Sequence, residues 1–199
     1  MKSADGSQPT RVTRVVAVIG AGQAGRSFAM ACAAAGFYVV LEDVMPSNLR
    51  RAEAEYADLS LRGGHGELEL ASTVEDAVRE ADIAIDFVPD ELESKLEIFS
   101  MIDRMAPPKT ILLTPSEALS ITDLASCVYR PDRSVAFRGN PLGGGIVRLL
   151  YPPAASRETI DAAAAFLNRL GAEALVELDP EAPELTRNAS GARQGFAHP

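Results

Sequence analysis

The stretch VVAVIGAGQAG, residues 15–25, joins a continuous apolar run directly to a glycine-rich motif. The run VVAVI is typical of a strand that is buried on both faces of a parallel sheet. Small, helix-forming residues follow at 24–35 and end at Gly36, a common residue at a helix C-terminus. The apolar residues 38–41 then predict a second strand. The segment therefore predicts a strand–helix–strand unit, which is the repeating unit of α/β folds.

The motif Gly20-Ala-Gly22-Gln-Ala-Gly25 has the GxGxxG spacing between the predicted strand and the predicted helix. Gly20 permits a sharp turn, Gly22 lets the backbone approach a pyrophosphate, and Gly25 lets helix and strand pack closely. The predicted helix begins at Ala24, and its free N–H groups and positive dipole end attract phosphate. We therefore expect Gln23 and Ala24 to contact the cofactor together with the glycines. Taken alone, the motif is also compatible with a tight turn that needs glycine only for packing.

A carboxylate lies where a dinucleotide site needs one, about twenty residues beyond the glycines. Asp43 follows the second predicted strand, and its oxygens can accept hydrogen bonds from an adenosine ribose. Its charge repels a 2′-phosphate, and Glu42 adds to the same field, so we expect NAD(H) rather than NADP(H) as the cofactor. Arg50 and Arg51 would argue for NADP(H) only if they reached this site, and a solvated helix face is the simpler interpretation.

The rest of the chain continues to alternate strands with helices. Strands are predicted at residues 68–70, 83–88, 110–114, 134–137, 147–151 and 174–178, and helices at residues 48–61, 74–78, 91–105, 121–128 and 156–170. This alternation predicts an α/β fold, a Rossmann-type, doubly wound and mostly parallel sheet in a three-layer single domain. We expect a flexible N-terminal segment at 1–13, an NAD(P)-binding Rossmann domain at 14–178, and a tail or arm at 179–199.

The composition excludes several classes of function. The 199 residues carry 19 Lys and Arg against 28 Asp and Glu, a net charge of −9, so we expect no nucleic-acid partner. No stretch approaches the ~20 apolar residues of a membrane span and the N-terminus lacks a secretory signal, so we expect no membrane association and a cytoplasmic location. Cys32 and Cys127 lack metal-ligand spacing, so we interpret both as reduced packing residues and expect no metal.

Five segments, in this order, resemble the NAD-binding domain of the 3-hydroxyacyl-CoA dehydrogenase family: VVAVIGAGQAG, VVLEDV, ADIAIDFVPDELESKLEIF, APPKTILLTPSEALSITDLA and RPDRSVAFRGNP. The resemblance covers residues 14–178 and implies a Rossmann fold that binds NAD. It also implies that Val88, Pro89, Asp90 and Lys95, in and after the loop that follows the fourth strand, lie near the nicotinamide side of the cofactor. Asp90 is equally compatible with a helix N-cap, and Lys95 with a solvated helix face.

The residues that would move protons in that family are replaced. The family's histidine, in an HFFNP-type motif, has no counterpart in residues 137–141, FRGNP, and the position of its glutamate partner falls at or near Leu149. The serine of an NTSSL-type motif corresponds to Glu117, and the asparagine before it to Pro115. The helical hairpin after the second strand is reduced, which argues against CoA binding. The chain also ends about where the family's helical second domain would begin.

Glu117 and Asn140 are the remaining candidate catalytic residues. Glu117 is a candidate base if its carboxylate lies beside the nicotinamide pocket, although a helix-capping surface residue is the simpler interpretation. Asn140 matches the family's asparagine and can hydrogen-bond the nicotinamide amide or a substrate oxygen. Arg138 stays charged and cannot be a base, but it can pair with an anionic group of a ligand. His65 and His198 are interpreted as solvated loop and tail residues.

Three functions remain open from the sequence. The first is an NAD-dependent oxidoreductase with altered acid–base residues that acts on a small hydroxy or keto substrate, completed if necessary by a homodimer mate or a partner subunit. The second is a non-catalytic NAD(H)-binding sensor or regulatory subunit that has lost the His/Glu dyad. The third is a structural subunit with a vestigial glycine loop. The fold and the intact motif slightly favour the first.

Overall fold

The computed structural model describes residues 13–63 and 66–179. The predicted N-terminal segment at 1–13, apart from its last residue, lies outside the described residues. His65, His198 and the predicted tail beyond residue 179 also lie outside them.

The helices and strands alternate along the chain as the sequence predicts. Strands and helices occur in the order β1 (Val15–Ile19), α1 (Gln23–Ala34), β2 (Tyr38–Glu42), α2 (Pro46–Leu61), β3 (Glu67–Ala71), α3 (Val74–Val78), β4 (Ile83–Asp86), α4 (Leu92–Met105), β5 (Ile111–Pro115), α5 (Ile121–Ala125), β6 (Ser134–Arg138), β7 (Ile146–Tyr151), α6 (Arg157–Arg169) and β8 (Glu173–Leu178). Proline at the start of α2 supplies a backbone dihedral that suits a first helical turn. Ser120 and Ser156 each accept a backbone N–H at the start of α5 and α6.

The eight strands form one sheet in the order β3-β2-β1-β4-β5-β6-β7-β8. Neighbouring strands from β3 to β6 are parallel, β7 is antiparallel to β6, and β8 is parallel to β7. The strand order reverses at β1 and β4, which is the switch point where ligands bind in open α/β sheets. The Rossmann-type, mostly parallel fold predicted from the sequence is confirmed.

Two apolar clusters, one on each face of the sheet, make the structure three-layered. Helices α1, α2 and α6 pack on one face, where Phe28, Phe37 and Phe166 are almost fully buried. Helices α3, α4 and α5 pack on the other face, with Phe99 and Leu124 in the centre. The central strands are buried on both faces, which explains why their sequences are continuous apolar runs.

Several predicted boundaries are wrong by a few residues. Strand β4 ends at Asp86 rather than at residue 88, close to Pro89, which has no N–H to extend a ladder. Helix α5 ends at Ala125 rather than at residue 128, and just beyond it the backbone N–H of Tyr129 donates to the Asp103 carboxylate at 2.7 Å. In both places a tertiary contact or a proline ends the element before its apolar pattern ends.

Two residues differ from their sequence-based interpretation. Asp179, assigned to the tail, is buried and accepts hydrogen bonds from the Ser120 hydroxyl at 2.6 Å and the Thr122 N–H at 2.8 Å. The folded domain therefore includes Asp179. Cys127 is exposed and is not a packing residue, whereas Cys32 is buried in the core, where burial raises the pKa of its thiol. Within residues 13–63 and 66–179, no helix has the length and apolar character of a membrane span.

Candidate functional site

The loops that follow β1, β2, β4, β5 and β6 converge at the carboxyl ends of these parallel strands. This is the edge at which open α/β sheets bind ligands. The predicted site residues lie in these loops or at the start of the following helices, Gly20–Gly25 after β1 and Asp43 after β2 among them. Asp90 follows β4, Glu117 follows β5 and Asn140 follows β6.

The glycine loop has the geometry that its sequence predicts. Gly20 has φ +99°, a conformation that side chains other than glycine rarely adopt. A Cβ on Gly25 would lie 1.9 Å from the Gly20 carbonyl oxygen, so α1 reaches the end of β1 only without a side chain there. A Cβ on Gly22 would meet nothing within 4 Å, which leaves open space above the first turn of α1. That space and the free N–H groups of the turn suit a phosphate group.

Asp43 is tied to the glycine loop. Its Oδ2 accepts hydrogen bonds from the Ala21 N–H at 2.8 Å and from the Asn48 side-chain amide at 3.0 Å, and its Oδ1 accepts one from the Met45 N–H at 2.7 Å. A carboxylate has about four acceptor positions, so room remains for about one further donor. Asp43 is therefore both a structural link between β2 and the glycine loop and an acceptor poised at the groove.

Two open cavities flank the glycine loop. The first, of about 510 Å³, is lined by Gly20, Gly22, Glu42, Asp43, Val44, Asn48, Val74, Val88, Pro89 and residues of α4. Val88 and Pro89, which the resemblance implies on the nicotinamide side, thus lie on the same side of the glycine loop as Asp43. The second, of about 540 Å³, is lined by Gln23, Ala24, Ser27, Phe28, Pro115, Phe137, Gly139, Asn140, Pro141 and Leu142. Phe87 lines both cavities. A ligand with two arms joined by a phosphate linkage would fit this arrangement, with one arm on each side of the loop.

Glu42 is a buried residue that lines the first cavity. Its side chain lies on the face of β2 that packs towards α3 and α4, since its neighbour on that face, Val40, belongs to the same cluster. Burial, with a smaller contribution from the neighbouring charge of Asp43, raises the pKa of Glu42 from an ordinary value of 4.5 to about 6. Glu42 is therefore more than an addition to the local negative field, which is the only role the sequence predicts for it.

Asp90 and Glu117 form a clamp that joins three loops. The Asp90 Oδ2 accepts hydrogen bonds from the backbone N–H groups of Glu117 at 2.9 Å and Ala118 at 3.3 Å. The Glu117 Oε1 in turn accepts one from the Gly139 N–H at 2.8 Å. Neither residue caps a helix, since the N-cap residue of α4 is Glu91 and that of α5 is Ser120. Glu117 is nevertheless exposed, as the surface interpretation predicts.

Arg138 reinforces the same clamp from β6. Its Nε donates to the Ser116 carbonyl at 3.2 Å and its Nη2 donates to the Leu119 carbonyl at 3.1 Å. These bonds fix the loop that carries Glu117. The Arg138 guanidinium therefore holds the Glu117 loop in place as well as supplying a positive charge.

Lys95 lies elsewhere than the resemblance implies. Its side chain is fully buried, and its Nζ lies 2.6 Å from Asp86 Oδ2, 2.9 Å from Thr114 Oγ1 and 2.8 Å from the Pro115 carbonyl oxygen. These three acceptors match the three donors of an ammonium group. The predicted contact between Lys95 and the cofactor is corrected accordingly, because the side chain points into the core and lines neither cavity.

The second cavity has an apolar lining with three polar side chains, Gln23, Ser27 and Asn140. The Asn140 Oδ1 accepts the Leu142 N–H at 2.9 Å, which orients the side-chain amide and leaves its N–H groups available to a ligand. Among the described residues that line this cavity, none has a titratable side chain. Leu149, at the position of the family's glutamate, is buried in the core. The described part of the chain contains no cluster of metal-ligating side chains.

The structure adds site residues that the sequence analysis did not identify. Asn48 orients Asp43, and Phe87 separates the two cavities. Asn48 lies five residues after Asp43, in the first turn of α2, and a polar residue so soon after the acid is a signal that could have identified it. Arg50 and Arg51 are exposed on α2, as predicted.

The buried pair of Asp86 and Lys95 makes a testable contribution to stability. Lys95→Met leaves the buried Asp86 carboxylate without its charged partner and should lower the free energy of unfolding by about 3–5 kcal/mol. The double variant Asp86→Leu/Lys95→Met removes both charges and should be clearly more stable than Lys95→Met alone, as measured by urea denaturation. The exposed pair of Arg157 and Asp161 is the control, since Arg157→Met should leave the free energy of unfolding almost unchanged. Equal losses in the single and double variants would contradict this account.

The pKa of Glu42 predicts a pH-dependent effect of Glu42→Gln. Because the pKa is higher in the folded state, the folded protein loses stability relative to the glutamine variant as the pH rises from about 4.5 to about 6. The difference in free energy of unfolding between the variant and the wild-type protein should therefore shift in favour of the variant by at most about 2 kcal/mol between pH 4 and pH 7. Urea denaturation across this range measures the difference. A difference that stays constant with pH would show that Glu42 ionises normally.

Comparisons with known proteins agree with this geometry. The family model for "3-hydroxyacyl-CoA dehydrogenase, NAD binding domain" matches residues 15–179. The chain is 33% identical over 175 residues to the probable 3-hydroxybutyryl-CoA dehydrogenase of Bacillus subtilis, a match that covers 80% of this chain and 61% of that protein. It is 33% identical over 172 residues to the lambda-crystallin homolog of Bos taurus, covering 78% of this chain and 54% of that protein.

Solved structures share the fold. The (S)-3-hydroxybutyryl-CoA dehydrogenase from Ralstonia eutropha is similar with a TM-score of 0.74 and 22% identity, covering 94% of this chain and 74% of that chain. The chain spans less than two thirds of the length of the curated relatives from Bacillus subtilis and Bos taurus. The family match, together with the glycine loop and Asp43, shows that the chain belongs to the NAD-binding domain family of the 3-hydroxyacyl-CoA dehydrogenases and that its cofactor is NAD.

Proposed function

We propose that this chain is an NAD(H)-dependent oxidoreductase that acts on a small hydroxy or keto substrate with acid–base residues that differ from those of its family. The observation that carries the proposal is the second cavity, which opens beside the glycine loop and shares Phe87 with the first. The nicotinamide arm of a bound dinucleotide would enter this cavity, and the remaining volume is the space for a reactant. The relatives named above include dehydrogenases, which supports the same class of reaction.

The residues of the loop fit the cofactor. Gly22 leaves open space where a pyrophosphate must approach the backbone, and the first turn of α1 offers its N–H groups there. Asp43 retains about one acceptor position for a ribose hydroxyl. Bound NAD(H) supplies the hydride chemistry, while these residues bind and orient it.

The second cavity suits a small substrate with one oxygen atom that a hydrogen bond can orient. Its walls are mostly apolar, and the Asn140 amide presents donors that can orient a carbonyl or hydroxyl oxygen. The Glu117 carboxylate, a candidate base, is committed to the Gly139 N–H and has a positioning role in the clamp. A proton donor then has to come from water, from residues outside those described, or from a homodimer mate or partner subunit.

The lack of a titratable side chain in the described lining of this cavity favours a second candidate function. In that case the chain is a non-catalytic NAD(H)-binding sensor or regulatory subunit that has lost the His/Glu dyad. The cavity then serves as a space for a regulatory contact. Both candidate functions involve NAD(H) binding, but only the oxidoreductase converts a substrate.

Replacement of Asp43 tests how the cofactor is selected. Asp43→Asn removes the charge that receives the ribose hydroxyl and repels a 2′-phosphate, so NADH affinity should fall by about tenfold and the preference for NADH over NADPH should shrink. Fluorescence titration with both reduced cofactors measures this. Arg50→Ala is the control, since its exposed side chain should leave both affinities unchanged. An unchanged NADH affinity in Asp43→Asn would contradict the assignment of Asp43.

Turnover separates the two candidate functions. The full chain should reduce some members of a panel of small 3-keto acids with NADH, measured by loss of absorbance, and Asn140→Ala should lower kcat/KM by about tenfold or more because substrate orientation is lost. Ser126→Ala, on the far side of α5, is the control. NADH binding without turnover across the panel would overturn the oxidoreductase proposal and support the sensor.

A further inference from the structure

The first cavity is a groove with an apolar wall and an acidic end. Val74, Ile98 and Met101 supply apolar surface, which suits the faces of a planar aromatic ring. Three carboxylates line the same groove, Glu42, Asp43 and Glu97. The groove lies beside the glycine loop on the side of Asp43, where the adenosine half of the dinucleotide would bind.

The three carboxylates differ in their environments. Asp43 already accepts three hydrogen bonds from Ala21, Met45 and Asn48. Glu97 is exposed on α4, so water satisfies it. Glu42 is 4% exposed, and among residues 13–63 and 66–179 no group donates a hydrogen bond to its side chain.

Burial removes most of the water from the Glu42 side chain, which is costly because no described protein group donates a hydrogen bond in its place. Glu42 lines the open groove, so a donor can reach its carboxylate from there. Val40, on the same face of β2, packs in the apolar cluster with residues of α3 and α4, so a carboxylate is an unusual side chain on this face. Glu42 instead lines the groove in which the adenosine half of the dinucleotide would bind. A donor on the ligand would satisfy it, and the strand places it next to Asp43, which anchors the ribose.

We propose that the Glu42 carboxylate accepts a hydrogen bond from the exocyclic 6-amino group of the adenine ring and makes the site selective for adenine among purine dinucleotides. The inference deepens the NAD assignment and rests on the binding of the cofactor in this groove, not on the proposed reaction. An ionised carboxylate can only accept hydrogen bonds, so it suits an amine. A 6-oxo purine presents a carbonyl oxygen at that position, and two acceptors then face each other without a proton between them.

The test compares NADH with reduced nicotinamide hypoxanthine dinucleotide, which carries a 6-oxo group in place of the 6-amino group. Both contain the same fluorescent dihydronicotinamide, so one titration by fluorescence yields both dissociation constants. The wild-type chain should bind NADH at least about tenfold more tightly. In Glu42→Gln, whose amide can donate as well as accept, the two dissociation constants should agree within about twofold.

Two further variants test whether the preference for NADH depends on Glu42 specifically. Glu97→Gln changes the exposed carboxylate of the same groove and should keep the wild-type ratio. Asp43→Asn weakens a ribose contact common to both dinucleotides, so both affinities should fall while their ratio persists. Circular dichroism establishes that each variant is folded.

The possible failures are distinguishable. Equal affinities of the wild-type chain for the two dinucleotides would overturn the role of Glu42 and leave the cofactor assignment intact. A preference for NADH that survives in Glu42→Gln would overturn it as well. If neither dinucleotide binds the wild-type chain, the inference and the proposed function both fall.

Discussion

The close approach of α1 to the end of β1 is the constraint on which the site depends. At Gly25 the helix meets the Gly20 carbonyl at a distance that excludes any side chain. This contact directs the first turn of α1 at the carboxyl ends of the strands, and it separates the groove on the Asp43 side from the cavity on the Asn140 side. The hydrogen bond from Ala21 to Asp43 then ties the same loop to β2. Cofactor chemistry and packing thus require the same residues.

The acidic residues at this edge of the sheet divide into structural and ligand-facing groups. Asp86, Asp90 and Glu117 are committed to Lys95 or to backbone N–H groups of neighbouring loops, so they hold the site together. Asp43 belongs to both groups, since it joins two loops and keeps an acceptor position for a ligand. Glu42 alone among the buried carboxylates of the described groove lacks a donor and faces the ligand space. Residues that resemble catalytic groups in sequence therefore act here as clamps.

The sequence predicts the fold and one half of the site. Apolar runs and glycine spacing identify the strands, the loop and Asp43, because these depend on local periodicity and on one short crossover. The clamp could not be predicted, since Asp90 meets Glu117 and Glu117 meets Gly139 only after separate strands pair in the sheet. The resemblance implies a position for Lys95 near the cofactor, but the side chain points into the core. Its direction is set by Asp86 and Thr114 on two neighbouring strands, which the sequence does not align.

A crystal structure of the full chain grown with saturating NAD⁺ tests the central claim most directly. The account predicts pyrophosphate density over Gly22, the adenosine in the groove of Glu42 and Asp43, and the nicotinamide directed towards the cavity of Asn140. Density for the dinucleotide at another surface, or both flanking cavities without ligand at a saturating concentration, would contradict it.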